Sequence, residues 1–470
     1  MKNLRKILAL MLALAMAVSL FACSGGNGDQ TNPPEETNSP EATDPPEGEP
    51  SDEGNEPGGD MADSITLWTY PIGDWGKEDV VKGLTDAFTE ATGIKVTVEY
   101  LDYTAGDDRV NGAITAKGTP DLIMEGPERL VANWGANGYL VDLSDMFDSG
   151  DMDEINAVND GIMKACTHTN GAIYEYPLVM TAHCMAINKT AFEQADALQY
   201  VDLENHTWTT ENFIKAIQAV YDEFGGTVGA VFCNNQGGDQ GTRALVNNLY
   251  GGTFTNAEHT QYTWDDPKNI QALEQLYNMD GIEYDASIVG GDEIAKFYQG
   301  VLKVAFCWNI AQQLSPNGAG DETGPEKTIS GEDIAFMSFP SETGESKLQG
   351  GIWGFGIFNN GDDARIAAAK EFIKFMCDSE HTVDAVKAAK YFAVRTTAGG
   401  ADLSNVWADE PIMAEYTKLM PYLGDYYQVT TGWAQARTEW WNMLQEVGGG
   451  ADAAEAVAAH VAAANEAAGG

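Results

Sequence analysis

Apolar and polar positions divide the chain into three zones. Ile7 to Ala22 is an almost unbroken apolar run. Residues 24–63 show no apolar periodicity at all. From Ile65 onward, short patterned segments follow one another. Ile65-Thr66-Leu67-Trp68 is β-rich. Val81, Leu84, Ala87, Phe88 and Ala91 recur at helical spacing within 80–92. Gly93 offers a left-handed stop for that helix. Ile94 to Tyr100 alternates and predicts a strand, Ala113 to Lys117 predicts helix, and Pro120 to Met124 predicts the next strand. Strand, helix, strand, helix, strand implies an α/β fold with a parallel sheet and helical crossovers. Ligands of such sheets bind beyond the carboxyl ends of the strands. That rule points to Trp68, Thr69, Tyr70, Glu125 and Gly126.

The first zone reads as an export signal. Lys2, Arg5 and Lys6 precede an apolar run shorter than the roughly 20 residues that span a bilayer. Leu20-Phe21-Ala22-Cys23 follows and resembles the bacterial lipobox. The resemblance implies a signal peptide over 1–22, diacylglycerol on the Cys23 sulfur, and Cys23 as the mature N-terminus. Residues 24–63 hold seven prolines, many acids, and no aromatic or basic residue. Such a segment cannot bury enough apolar surface to offset its ordering entropy, so 23–63 is expected to be a disordered tether.

Composition narrows the function. The 26 basic and 72 acidic residues give a net charge of −46. Nucleic acid and anionic lipid surfaces both call for basic patches, so neither is an expected partner. Cys166, Cys184, Cys233, Cys307 and Cys377 are scattered with no C-x-x-C, which argues against a structural zinc site. They read as small buried residues, with a Cys184–Cys233 disulfide left open. The six histidines lack metal-ligand spacing, and Asp148 to Glu154 reads as a solvated acidic turn. Hydrolase, zincin and phosphate-loop motifs are missing, so neither an enzyme nor a cofactor is expected.

The ordered segments have a family likeness. Ile65-Thr66-Leu67-Trp68, Phe88-x-x-x-Thr92-Gly93-Ile94-Lys95-Val96 and Gly118-Thr119-Pro120-Asp121-Leu122-Ile123 resemble pieces of the extracellular solute-binding proteins of ABC importers, in their sugar-binding subgroup. The likeness continues through Tyr174-x-Tyr176-Pro177-Leu178, Ile187-Asn188-Lys189-x-x-Phe192 and Thr207-Trp208-Thr209-x-Glu211-Asn212-Phe213. It then takes in Phe297 to Trp308, Gly350 to Ile357 and the helix Ala364 to Cys377. The resemblance implies a two-lobed periplasmic-binding-protein-like fold with a ligand cleft between the lobes. Lobe one would be 64–177 plus 349–400, and lobe two 178–348 plus 401–470. It also implies closure on a solute by a hinge motion and docking on permease subunits. With the Cys23 anchor, it implies the outer face of the cell membrane of a Gram-positive bacterium.

Sugar recognition needs flat aromatic faces and planar polar groups. Tyr70 is the first candidate, with Trp68 either core or site. Glu125 follows the Pro-Asp strand. Glu128 and Arg129 fall where the subgroup has an acidic–arginine pair on the sugar, and a surface ion pair is the plainer alternative. Trp308 ends an apolar strand, and Trp353 lies among glycines. Trp433 falls where a sugar-stacking aromatic occurs in the subgroup. Asn235 and Asp239 belong to a polar stretch after the apolar run Val228 to Phe232. The chain departs from the maltodextrin binders at Thr181, where they carry a glutamate, and at Glu125, where they carry a tryptophan. That leaves the sugar open. The same aromatic and acidic set would suit a polyamine or another cation, and a sensing lipoprotein would share the architecture.

Overall fold

The computed structural model describes residues 61–103, 105–232, 239–288, 291–314 and 325–469. Cys23, the signal segment and the tether up to residue 60 lie outside the described residues. The strands in chain order are β1 (Ser64–Thr69), β2 (Lys95–Tyr100), β3 (Leu122–Glu125), β4 (Tyr176–Ala182), β5 (Cys184–Asn188), β6 (Gly229–Phe232), β7 (Ile282–Asp285), β8 (Val304–Trp308), β9 (Ile334–Met337), β10 (Gly350–Ile357) and β11 (Phe392–Ala393).

The first sheet has six strands in the order β11-β4-β10-β3-β1-β2. β1 runs parallel to both β2 and β3, as the strand–helix–strand pattern requires. β10 returns antiparallel between β3 and β4. The expected first helix spans Glu78–Thr92 and buries Val81, Leu84, Thr85 and Phe88 on one face. Gly93, at φ 80°, ends it in the left-handed conformation that glycine adopts without steric cost. Phe88 meets Phe372 and Phe375 edge-on, with ring centroids 5.1 and 5.4 Å apart. This docks the helix Asp363–Cys377 beside it. All seven residues of β4 are buried, as expected for a strand covered on both faces.

Asp121 pins the start of β3. It is buried, accepts from the Thr66 amide at 2.7 Å, and takes two bonds from Arg365 at 2.7 and 2.6 Å. The Gly-Thr-Pro-Asp segment thus joins β1, β3 and a helix 244 residues further on. A buried carboxylate needs this degree of pairing to offset its lost hydration.

The second group of strands has β5 between β8 and β9, antiparallel to both, plus the parallel pair β6–β7. Amides of Lys303 and Val304 donate to Val228 O and link the pair to β8. Thr209 caps the helix Thr210–Phe224 by accepting from the Asn212 amide, as its sequence suggests. The chain passes between the two strand groups at His183, because Ala182 still pairs with Gly350 and Cys184 already pairs with Trp308. This crossing falls later than the 177/178 division expected from the sequence. A second crossing runs alongside, with the His183 amide donating to Gln349 O at 2.7 Å. Leu423 pairs with Leu348 in a third.

Candidate functional site

The carboxyl ends of β1 and β3 carry a tightly bonded aromatic and charged cluster. Tyr70 follows β1 and is fully buried. Its hydroxyl donates to Asp107 at 2.5 Å, and its ring stacks on Tyr103 with centroids 5.0 Å apart. Glu125 ends β3 and is 1% exposed. Glu128 and Arg129 lie on the short helix Pro127–Arg129, which continues into a π-helical turn, Leu130–Gly135. Such wide turns occur often at functional sites.

Arg129 organises the cluster. It donates to Asp107 at 2.7 and 3.1 Å and to Glu125 at 2.7 Å. Its guanidinium also lies 5.3 Å from the Tyr70 ring centroid and 5.4 Å from that of Tyr103. The geometry matches the fixed fork of a guanidinium, which holds planar acids and stacks on rings. The two carboxylates respond differently. Burial pushes Asp107 up, but Arg129 and Tyr70 outweigh it and hold the acid below its usual range. Glu125 is so buried that its pKa rises to about 8 in spite of Arg129. Tyr70 is pushed up as well, by burial and then by Asp107.

Trp353 joins this group from β10, where Gly354 pairs with Glu125. Its ring stacks on Tyr391 at 4.7 Å and 10°. The neighbouring glycine serves the tryptophan: a Cβ on Gly351 would fall 2.0 Å from the Trp353 ring. From the third crossing, the Tyr426 hydroxyl donates to Glu128 at 2.7 Å. Behind them, Glu175 is fully buried, and neither of its oxygens has a hydrogen-bond partner among the described residues. Burial first, then Glu128 and Glu125, drive its carboxyl well above the usual range. That burial disfavours its charged form.

The structure thus brings together Tyr70, Glu125, Glu128, Arg129 and Trp353, and it separates the remaining candidates from them. Trp308 is a correction. It is fully buried, donates through Nε1 to Tyr416 at 2.7 Å, and packs on Phe297 and Tyr298. All five residues of β8 are buried, so the end of that strand is core. Asp239 is a second correction. It is fully buried between Arg243, to which it pairs directly, and Arg437 at 2.5 and 2.6 Å. Burial would raise its pKa, but the two arginines hold it far below the usual carboxylate range. Trp433 is 9% exposed and lies against the Arg243 guanidinium, 4.9 Å from its ring centroid, with Phe254 and Tyr427 beside it. Asn235 lies outside the described residues. His183, at the first crossing, is pushed down to about 4 by burial and then by Arg243.

Sequence reasoning missed Tyr103, Asp107, Tyr391, Tyr426 and Glu175. Tyr103 was near the reach of the strand-end rule, since it lies in the loop after β2. Tyr426 lies 298 residues from Glu128, and no local pattern connects them.

Residues 74–382 match the family model described as bacterial extracellular solute-binding protein. The chain belongs to this family of solute-binding proteins. It is a binding family and not an enzymatic one. Solved structures repeat its α/β fold at low identity. The GacH receptor of Streptomyces glaucescens, solved unliganded and with acarbose, matches with a TM-score of 0.66 and 16% identity, over 86% of this chain and 98% of that one. The cyclic α-maltosyl-1,6-maltose binding protein of Arthrobacter globiformis matches with a TM-score of 0.67 and 19% identity, over the same shares. UgpB of Mycobacterium tuberculosis, solved with glycerophosphocholine, gives 0.65 and 17%, again over 86% and 98%. No curated protein sequence matches the chain.

Among the described residues, no group of three His, Cys, Asp or Glu could hold a metal ion. No described helix is long and apolar enough to cross a membrane. Cys166, Cys184 and Cys377 are buried thiols.

Proposed function

We propose that this protein captures an oligosaccharide in a cleft between two lobes. In this reading, acyl chains on Cys23 hold it at the outer face of the cell membrane while it serves its importer. The observation that carries the reading is the pairing of Trp353 on Tyr391 beside the Arg129–Glu125–Asp107 cluster. A flat aromatic face covers the C–H face of a sugar ring, and fixed planar acids and guanidinium bond its hydroxyls. The saccharide ligands named for GacH and for the Arthrobacter protein are consistent with it. Tyr426, bonded to Glu128 from the third crossing, gives hinge closure a contact at the site itself.

One feature favours a second reading. Asp107, Glu125 and Glu128 all pair with Arg129, three acids to one cation. A cationic solute such as a polyamine would gain from that excess of acids and from the tyrosine rings. A thermal-shift screen of maltooligosaccharides, polyamines and amino acids separates the two. A solute that binds only the folded protein stabilises it by about 2.7 kcal/mol at a hundred times its Kd. The saccharide reading expects shifts with sugars. Shifts with spermidine and with no sugar would overturn it.

A further inference from the structure

A second cavity, of about 630 Å³, lies apart from the Tyr70–Trp353 cluster. Its walls come from several stretches of chain: Lys164 after β3, the stretch 244–257, the loop 341–345, and Lys347, Gln349, Asp425 and Tyr427 beside the crossings. None of Tyr70, Glu125, Glu128, Arg129 or Trp353 lines it. Tyr426 and Tyr427 divide between the two places. Tyr426 reaches Glu128, whereas Tyr427 lines the cavity and accepts from Arg243. The volume falls in the range of roughly 300–1,000 Å³ usual for small-molecule sites.

The lining holds buried polar atoms without hydrogen-bond partners among the described residues. Thr255 is 7% exposed and Gln349 is 6% exposed, and both line the cavity. Thr255 Oγ1, Gln349 Oε1 and Asn247 Oδ1 find no partner among the described residues. A buried polar atom left unbonded is costly, so a ligand that supplies the missing bond is favoured. The crossing strand fixes Gln349, because its carbonyl accepts from the His183 amide and its Nε2 donates to Asp425 O.

The charge balance sets the ligand class. Lys164, Lys268 and Lys347 line the cavity, and Glu342, Glu345 and Asp425 oppose them. Three cations against three acids favour neither an anion nor a cation. A simple carboxylate carries only acceptors, which cannot satisfy the orphaned amide oxygens. A hydroxyl both donates and accepts, so it serves an amide oxygen and a threonine hydroxyl alike. Tyr250, Phe254 and Tyr427 add aromatic surface for C–H groups. We propose that this cavity is a second binding site, for a neutral polyhydroxylated solute of polyol or monosaccharide size.

The test uses the full-length protein and three backgrounds: wild type, Trp353→Ala to disable the cleft, and Ala257→Trp to fill the cavity from its exposed rim. Glycerol, D-glucose and maltotriose are titrated by equilibrium dialysis up to about fifty millimolar. The proposal expects Trp353→Ala to keep one equivalent of glucose or glycerol binding. It expects Ala257→Trp, and separately Asn247→Leu, to weaken that equivalent at least tenfold. Binding in Trp353→Ala that neither cavity variant changes would overturn it, as would no saturable binding of any probe in that background. Maltotriose binding lost only in Trp353→Ala reports on the cleft alone, so failure of the cleft reading and failure of this one are told apart.

Discussion

Asp239→Asn tests the reassignment of a polar residue from ligand contact to structural keystone. Asp239 and Arg243 are both fully buried, and the Arg437 side chain is only 19% exposed. Removing the carboxylate charge takes the Asp239 charge from two guanidiniums, and the Arg243 side chain has no access to water. Breaking a buried pair in this way costs about 3–5 kcal/mol. Unfolding entropy near 60 °C is about 2.1 cal/mol/K per residue, so a body of roughly 400 residues should melt roughly 4–6 °C lower. Circular dichroism melts give the first readout and calorimetric titration with the solute found by screening gives the second. Because the carboxyl is held far below its unfolded value, its stabilisation is present above about pH 4 and is lost as pH falls toward its folded value. The asparagine variant should therefore show a flatter acid limb. An unchanged melting temperature combined with lost solute binding would refute the reasoning and return Asp239 to the binding site.

Three further outcomes follow from the structure. Burial raises the Glu175 carboxyl above its unfolded value, so the fold binds more protons than the unfolded chain as pH passes the usual carboxylate range. Its contribution is present below about pH 4.3 and declines as pH rises toward its folded value. Glu175→Gln should flatten the loss of stability between pH 5 and 8 in denaturant titrations, and a variant markedly less stable at pH 8 would contradict this. Trp308→Phe should cost about 1–3 kcal/mol by leaving the Tyr416 and Gln313 side chains short of a donor, with solute affinity unchanged in calorimetry. Cys23→Ala should release the protein into the medium or leave it unprocessed in cell fractionation, and a membrane-bound variant of normal mature mass would remove the anchor from the account.

Much of the fold was legible because its signals are local. The helix Glu78–Thr92 shows its buried stripe at helical spacing and its glycine stop in consecutive residues. The strand-end rule placed Tyr70 and Glu125 at one end of the sheet, because β1 and β3 run parallel in it. The same rule failed at Trp308. There β8 is covered on both faces, and the last residue of a covered strand stays in the core. Asp239 misled for a related reason. Polar residues after a strand usually face solvent or ligand, but here the counter-charge arrives from Arg437, 198 residues later. Tyr391, Tyr426 and Glu175 meet the site only through tertiary packing, which no window of sequence contains. The −46 charge was equally uninformative about the site, since burial and the neighbouring Arg129 together set how Asp107 and Glu125 behave.

The central claim is that Trp353 and the Glu128–Arg129 pair form the saccharide-binding surface. Isothermal titration of wild type, Trp353→Ala and Glu128→Gln with the maltooligosaccharide giving the largest thermal shift tests it most directly. The account predicts a Kd at least tenfold weaker in each variant, about 1.4 kcal/mol, with ligand-free melting temperatures close to wild type. Wild-type affinity in both variants would contradict it.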